Sequence, residues 1–411
     1  MPWYISLLGS IAVIMICIYK KLNIGLTMIF GAVSLGLLSF ITIKDFFAIL
    51  LTATTNSVTV MLFISILLLG ILGQILKETG ALQEIIASLT ALVADIRIIT
   101  AILPALVGML TVPGGAILSA PLCAEAGMKL RLPPDRQAAI NIWFRHVFYF
   151  ALPLFPSLIL AAQLSEVNIG RLVLHNLPLV LIGTVFGFYY LFKGFPSQEK
   201  GFFISPRATR RLLISLAPLL VVLVLVIIFD LYFPWALLAG IVFALLNYLP
   251  KQNQFSRLID RIKTMILPGI NIPTAFVIVG IMIYKEMLTS TGVISDLTNL
   301  VLGLGIPVIL LIALISFLVG MLTGDNSASV AILFPMFMPL LPSGSYIYSA
   351  YIAFLYAGST AGHIISPAHP CFSLTKEYYR ADMFKIVVLI IPLLAVVIAA
   401  GFLITSLFGW F

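Results

Sequence analysis

Charged residues are scarce in this sequence. Only 9% of its 411 residues are Asp, Glu, Lys or Arg, whereas 62% are hydrophobic. A soluble protein of this length needs a far more charged surface, so the composition excludes a soluble enzyme or binding domain. Many apolar runs approach the roughly 20 residues with which a helix spans a bilayer. The sequence therefore predicts an all-α polytopic membrane protein without a large soluble domain.

Cysteine is rare, and the common catalytic motifs are missing. The three cysteines, Cys17, Cys123 and Cys371, stand singly in apolar stretches, which predicts neither a disulfide framework nor a metal site. The sequence contains no GxxxxGK[ST], GxSxG or HExxH motif, so nothing in it points to an ATP-driven pump or a hydrolase. The net charge of +8 lies mostly in predicted loops, where the positive-inside rule accounts for it without a nucleic-acid partner. We therefore expect neither an enzyme nor a cofactor.

One stretch of the chain occurs twice. Residues 107–116 have the sequence VGMLTVPGGA, and residues 319–328 have the sequence VGMLTGDNSA. Further along, the pair Pro153 and Pro156 is matched by Pro367 and Pro370. Each copy interrupts an apolar run with a break rich in glycine and hydroxyl groups. Paired breaks at corresponding positions of two halves are the best indication of a transporter's binding site, because unpaired backbone inside a bilayer must line a cavity or a ligand.

The two copies define the predicted domains. Residues 1–192 form the first transmembrane repeat, 193–211 a charged linker, and 212–411 the second repeat. Within them we predict broken elements over 98–123 and 306–341 but a continuous span over 139–163. Basic residues follow the first span in copy one, and they follow the second span in copy two. The positive-inside rule then places the N-terminus outside, the linker in the cytoplasm, and the two repeats in inverted topology in the cytoplasmic membrane.

The breaks supply most of the candidate site residues. Glycines let the backbone turn and approach a ligand, and the helix after each break presents free N–H groups to an anion. Hydroxyl and amide groups flank the breaks and recur before the second proline pair. The predicted substrate-binding residues are Thr111, Gly114, Gly115, Ser119, Thr323, Asn326, Ser327, Ser359 and Thr360. The alternative is that these small residues only allow tight contacts between helices.

Three ionisable side chains complete the predicted site. Asp325 and His363 are candidates for binding the coupling ion, because ionisable groups inside a membrane are usually functional, although Asp325 could instead only cap a helix. Arg145 could bind an anion, or it could reach out to the membrane interface. His363 and His369, six residues apart, do not have a recognised metal-binding spacing, so we predict no metal.

At the paired breaks and the stretch GSTAGHIISPAHP, residues 358–370, the sequence resembles the ion transporter superfamily of citrate, gluconate, C4-dicarboxylate and arsenite carriers. Within it, the chain is similar to an uncharacterised, largely prokaryotic family of unknown function. The resemblance implies a homodimeric elevator-type carrier with a scaffold domain and a transport domain that contains re-entrant hairpins and discontinuous helices. Sodium–dicarboxylate relatives carry Ser-Asn-Thr in each copy. Asn326-Ser327 is similar in one copy, whereas Val112–Gly115 departs from the motif.

These observations together predict a secondary transporter. It would move a small anionic solute, such as a carboxylate, across the bilayer with H⁺ or Na⁺ as the coupling ion. One alternative is a Na⁺/H⁺ antiporter that uses Asp325 and has no organic substrate. Another is an intramembrane metal-dependent enzyme built on His363, His369 and Asp325. A channel is the third, since inverted repeats also occur in channels. The coupling ion, the direction of transport and the identity of the solute stay open at this point.

Overall fold

The structure is a computed structural model of the whole chain. It describes residues 2–109, 115–196, 201–203, 205–248, 263–303, 305–342 and 344–408. In these ranges the chain is helical and contains no β-strand, only one isolated antiparallel bridge between Val93 and Phe202. The prediction of an all-α protein is confirmed.

Ten α-helices of the described chain precede the linker. They are α1 (Trp3–Tyr19), α2 (Ile24–Leu38), α3 (Ile43–Thr55), α4 (Ser57–Glu78), α5 (Ala81–Leu92), α6 (Ile96–Met109), α7 (Gly115–Lys129), α8 (Pro134–His146), α9 (Pro156–Ser165) and α10 (Ile169–Leu191).

The helices after the linker follow in the same order. They are α11 (Pro206–Ile227), α12 (Phe233–Tyr248), α13 (Ile272–Ser290), α14 (Val293–Gly303), α15 (Val308–Thr323), α16 (Asn326–Phe337), α17 (Ser345–Ile365), α18 (Pro370–Tyr379) and α19 (Met383–Phe408). α11 begins at Pro206, so the last residues of the predicted linker 193–211 belong to a helix.

Corresponding helices make corresponding contacts. α1 packs on α2 as α11 packs on α12, and α6 packs on α8 as α15 packs on α17. Between the halves, α2 contacts α13 and α12 contacts α4, while α8 contacts α18 and α17 contacts α9. The repeat in the sequence is therefore also present in the order and packing of the helices.

The glycine of the repeated VGMLT stretch has the same role in both halves. A Cβ at Gly108 would collide with the carbonyl oxygen of Arg145, and a Cβ at Gly320 would collide with the carbonyl oxygen of Ser359. Only glycine lets α6 approach α8, and α15 approach α17, this closely. The repeated pentapeptide thus fixes where the two halves hold the backbone of residues 145 and 359.

Each proline pair interrupts one helical element. α8 ends at His146, a 3₁₀ turn covers Val147–Phe150, and α9 begins only at Pro156. The predicted continuous span over 139–163 is therefore wrong, because Pro153 and Pro156 cannot continue the backbone hydrogen bonds of a helix. In the second half α17 ends at Ile365 and α18 begins at Pro370.

The break at residue 324 was predicted correctly. Gly324 ends α15 in the left-handed region, with φ 63°, and Asp325 caps α16. α15 itself contains a π-helical stretch, Ile312–Ser316.

Five helices of the described chain are long and apolar enough to cross a membrane: Ser57–Glu78, Ile169–Leu191, Pro206–Ile227, Lys263–Ser290 and Met383–Leu407. The protein is a multi-pass membrane protein.

Candidate functional site

A buried polar network surrounds Asn326, the first residue of α16. Its Nδ2 donates to Ser157 Oγ at 3.1 Å and to Thr360 Oγ1 at 3.0 Å, while its Oδ1 accepts from Ser359 Oγ at 2.6 Å. Ser329 contacts both Ser359 and Asn326 through its hydroxyl. All five side chains are at least nine-tenths buried. The structure therefore brings together the predicted residues Asn326, Ser359 and Thr360, but their polar groups are already bonded to one another.

Tyr356 extends this network to the first half. Its hydroxyl lies 3.1 Å from Ser157 Oγ and donates to the carbonyl oxygen of Tyr149 at 2.9 Å. Tyr149 is in the turn after α8, where helical hydrogen bonding stops and carbonyl groups become free. The network thus connects α16 and α17 to the interrupted element of the other copy.

At the second break, polar side chains form hydrogen bonds with backbone groups of the same segment. Asp325 Oδ1 accepts from the backbone N–H of Ala328 at 2.8 Å, so the N-cap interpretation of Asp325 is confirmed. Thr323 Oγ1 donates to the carbonyl oxygen of Asp325 at 3.1 Å. Ser327 lies half-buried on the first turn of α16. The ion-coupling role of Asp325 stays a prediction.

The first break is described only in part. Thr111 and Gly114 lie outside the described residues, and Gly115 is the first residue of α7. Ser119, one turn further along, is completely buried.

Arg145 differs from all of these residues. Its side chain is only 2% exposed, and Nε and Nη1 have no hydrogen-bond partner among the described residues. The alternative that Arg145 reaches the membrane interface is wrong, because the guanidinium lies inside the protein, where α8 packs against the end of α6. A buried cation with donors that no described residue uses is a candidate for binding an anion.

Three histidines meet next to Arg145. His146 Nε2 lies 2.9 Å from His369 Nε2, and the rings of His363 and His369 have centroids 3.9 Å apart. His363 Nδ1 donates to the carbonyl oxygen of Gly324 at 3.1 Å, which places His363 against the second break. All three side chains are buried. The predicted ion-coupling residue His363 is thus part of a cluster that spans both halves.

The internal repeat explains the position of this cluster. At the offset that relates Pro153 to Pro367, Tyr149 and Phe155 correspond to His363 and His369. The rings of Tyr149 and Phe155 are also in contact, with centroids 3.6 Å apart, and Tyr149 is stacked on His363 at 6.3 Å. No role was predicted for His146 or Tyr149. The repeat offset was the signal that could have brought Tyr149 and His363 together.

The same cluster contains the donor atoms of a potential metal site. The potential ligand atoms of His146, His369 and Cys371 lie within 4.8 Å of one another. Two nitrogens on a tetrahedral zinc ion are roughly 3.3 Å apart, given Zn–N bonds of about 2.0 Å. The 2.9 Å between the two Nε2 atoms is instead the length of an N–H···N hydrogen bond, and Arg145 beside His146 adds an opposing positive charge. The geometry therefore fits a hydrogen-bonded pair better than a metal centre.

The fold is similar to that of a solved membrane transporter. The structure is similar to the crystal structure of the YdaH transporter of Alcanivorax borkumensis, described as having an unusual topology, with a TM-score of 0.64, 17% identity and coverage of 89% of each chain. This identity is too low to show more than a common fold. No curated protein sequence matches the chain. The model of a family described as protein of unknown function (DUF401) matches residues 4–407, so the chain belongs to this family.

Proposed function

We propose that this protein is an ion-coupled secondary transporter of a small anionic solute, with Arg145 as the group that binds the anion. The single observation that carries the proposal is the buried guanidinium, whose Nε and Nη1 have no partner among the described residues.

The positive charge of Arg145 is costly to bury. An isolated charge buried in a protein costs several kcal/mol, so buried charges are normally paired. The hydroxyl and amide groups around Asn326 form a satisfied network, but none of them bonds to Nε or Nη1 of Arg145. A carboxylate has the geometry to accept two parallel hydrogen bonds from a guanidinium. An anionic solute would therefore relieve a cost that the protein bears without it.

The surrounding backbone supports a site at this place. α8 ends at His146, directly after Arg145, and α17 ends at Ile365, six residues after the repeat counterpart Ser359; each end is followed by an interruption. Interrupted helices near the middle of inverted repeats are where secondary transporters bind their solutes. The similarity to a transporter fold agrees with this arrangement.

The resemblance to the ion transporter superfamily supports three finer parts of the proposal. They are a homodimer, an elevator-type movement of one domain against the other, and location in the cytoplasmic membrane. Asn326-Ser327 carries that resemblance in the second copy. We keep both H⁺ and Na⁺ as coupling ions in this proposal.

A thermal-unfolding screen of the purified protein tests the proposal. The panel contains small carboxylates, inorganic oxyanions and amino acids, each with and without Na⁺ and at two pH values. An anion that binds the folded state should raise the unfolding midpoint as its concentration increases. In Arg145→Gln, the loss of a charge-assisted hydrogen bond should weaken that binding by roughly 10- to 100-fold.

Arg207→Gln is the matched control, because Arg207 is exposed near the start of α11. It should leave the shift of the midpoint unchanged. An anion that stabilises Arg145→Gln as well as the wild type would refute the role of Arg145. If Na⁺ or protons stabilise the protein while every anion is silent, the protein is instead an antiporter without an organic substrate.

A further inference from the structure

We propose that the hydrogen-bonded pair of His146 and His369 is a proton-binding site that takes up its proton on Nδ1 of His369, and that this proton accompanies the anion. The coupling part of this inference rests on the proposed function, whereas the proton site itself does not. It rests on the protonation states that the contacts of the two rings require.

The contacts of His146 fix which of its nitrogens carries hydrogen. Its Nδ1 lies 2.6 Å from the carbonyl oxygen of Ile142. A carbonyl oxygen only accepts hydrogen bonds, so Nδ1 is the N–H donor. In the neutral ring, Nε2 then carries a lone pair and no hydrogen. His146 therefore faces its partner as an acceptor.

The state of His369 follows from that of His146. Its Nε2 lies 2.9 Å from the bare Nε2 of His146, so Nε2 of His369 is the donor in this bond. The neutral ring of His369 then has its lone pair on Nδ1. This atom is buried and has no hydrogen-bond partner among the described residues. Nδ1 of His369 is thus a basic nitrogen in the interior, close to the backbone of Gly324.

Adding the next proton to Nδ1 preserves the existing bond. An imidazolium at His369 still donates through Nε2 to His146, and it does so more strongly because the donor is charged. A proton on Nε2 of His146 would instead oppose two N–H groups across 2.9 Å. The pair therefore accepts one proton, and it does so on the atom that lacks a partner.

The charged and titratable groups around the pair determine when that proton is held. They are Arg145 from α8, Tyr149 from the turn after α8, Asp325 from the second break, His363 and Tyr356 from α17, and Cys371 from α18. The permanent positive charge among them is that of Arg145, and it opposes a second positive charge on His369. The carboxylate of Asp325, by contrast, favours a positive charge on His363.

This arrangement couples proton and anion. An anion bound to Arg145 cancels the charge that opposes protonation, so anion binding favours the proton on Nδ1. By linkage, the proton strengthens anion binding by the same factor. The proton adds from water to the lone pair and leaves again to water, so no other bond is made or broken. The site therefore carries one anion together with one proton.

Infrared difference spectroscopy on protein with ring-labelled histidine tests the site. Spectra are recorded between roughly pH 8 and pH 5, where an imidazole titrates, in lipid vesicles with either chloride or succinate as the anion. The wild type should show an imidazolium band at the lower pH. His175, on α10 outside the cluster, also carries the label, so every variant is made in a His175→Gln background, where we expect His369→Gln to abolish the remaining band.

A second variant separates the proton site from a loss of folding. His146→Phe keeps His369 and fills the same space, but it removes the acceptor of the Nε2–H bond. The band should be lost there too, a result that a merely space-filling His146 would not give. Size-exclusion profiles and unfolding midpoints show that each variant is folded.

The outcomes distinguish this inference from the proposed function. If neither chloride nor succinate gives a band that depends on His369, the proton site is refuted. A band that is larger in succinate, with the difference abolished in Arg145→Gln, supports proton and anion together. A His369-dependent band that is the same in both anions and in Arg145→Gln supports the proton site and contradicts only the role of Arg145.

Discussion

At the scale of single residues, the carboxylate of Asp325 has a local structural partner. It caps α16 through the N–H of Ala328. Asparagine caps helices as well as aspartate does, whereas alanine does not. We therefore expect Asp325→Asn to keep the stability of the protein and Asp325→Ala to lose about 1 kcal/mol. Unfolding midpoints of the purified variants measure the difference.

The same pair of variants examines the coupling role. If Asp325 binds the coupling ion, Asp325→Asn should abolish the dependence of uptake on that ion while the protein stays folded. Uptake with an unchanged pH and Na⁺ dependence would leave Asp325 as a cap alone. The proposed proton site differs in its expected result, because His369 should still take up a proton in Asp325→Asn.

The sequence predicts which residues lie in the candidate site better than it predicts how their polar groups are bonded. The break motifs indicated Asn326, Ser359 and Thr360, and the structure brings these three side chains into contact. The sequence could not show that their polar groups bond to one another. Nor could it show that no described residue bonds to Nε or Nη1 of Arg145, because both facts depend on contacts between segments far apart in the chain.

At the scale of helices, the sequence predicts breaks more reliably than it predicts short helices. Gly324 and the repeated pentapeptide located the second break. The interruption between α8 and α9 was missed because the stretch is apolar throughout, although Pro153 and Pro156 match the pair in the other copy. α3 is a short helix of 13 residues. Its start, where Thr42 accepts from the N–H of Asp45, is a capping signal that sequence alone contains.

The contact between α15 and α17 allows a prediction about packing. A Cβ at Gly358 would collide with Ser316 Oγ, in the π-helical stretch of α15. Gly358→Ala should therefore destabilise the protein by roughly 1–3 kcal/mol, the usual range for overpacking. Ser316→Ala removes that oxygen and leaves a Cβ only 3.0 Å away, so the double variant should recover part of the loss. Unfolding midpoints of the two single variants and the double variant give the coupling energy.

Gly303→Ala is the control for this cycle. Gly303 is the last residue of α14, and a Cβ there meets no atom of the described residues within 4 Å. Alanine should be neutral there, or stabilise by at most about 1 kcal/mol, because it favours the helix. Gly358→Ala could behave like Gly303→Ala, or Ser316→Ala could bring no recovery. Either result would show that the close contact of α15 and α17 does not require glycine at residue 358.

At the scale of the whole molecule, the matched contacts of the two halves place the site between them. α8 packs on α18, α17 packs on α9, and the histidine cluster joins residues of both sets. A solute held by Arg145 would therefore contact both halves of the chain. Sequence reasoning predicted the repeat, but only the contacts show that His146 and His369 meet across it.

The orientation of the molecule in the membrane is the last prediction. The positive-inside rule places Lys193, in the linker, in the cytoplasm and the uncharged connection at Tyr232 outside. Both positions are exposed, so a cysteine introduced at either can react with a reagent in water. In a background without Cys17, Cys123 and Cys371, a membrane-impermeant maleimide should label Tyr232→Cys in intact cells. Lys193→Cys should react only after the membrane is permeabilised. The reverse pattern would show that the protein has the opposite orientation in the membrane. Labelling of both positions from outside would show that α11 does not cross the membrane, because α11 connects the linker to residue 232.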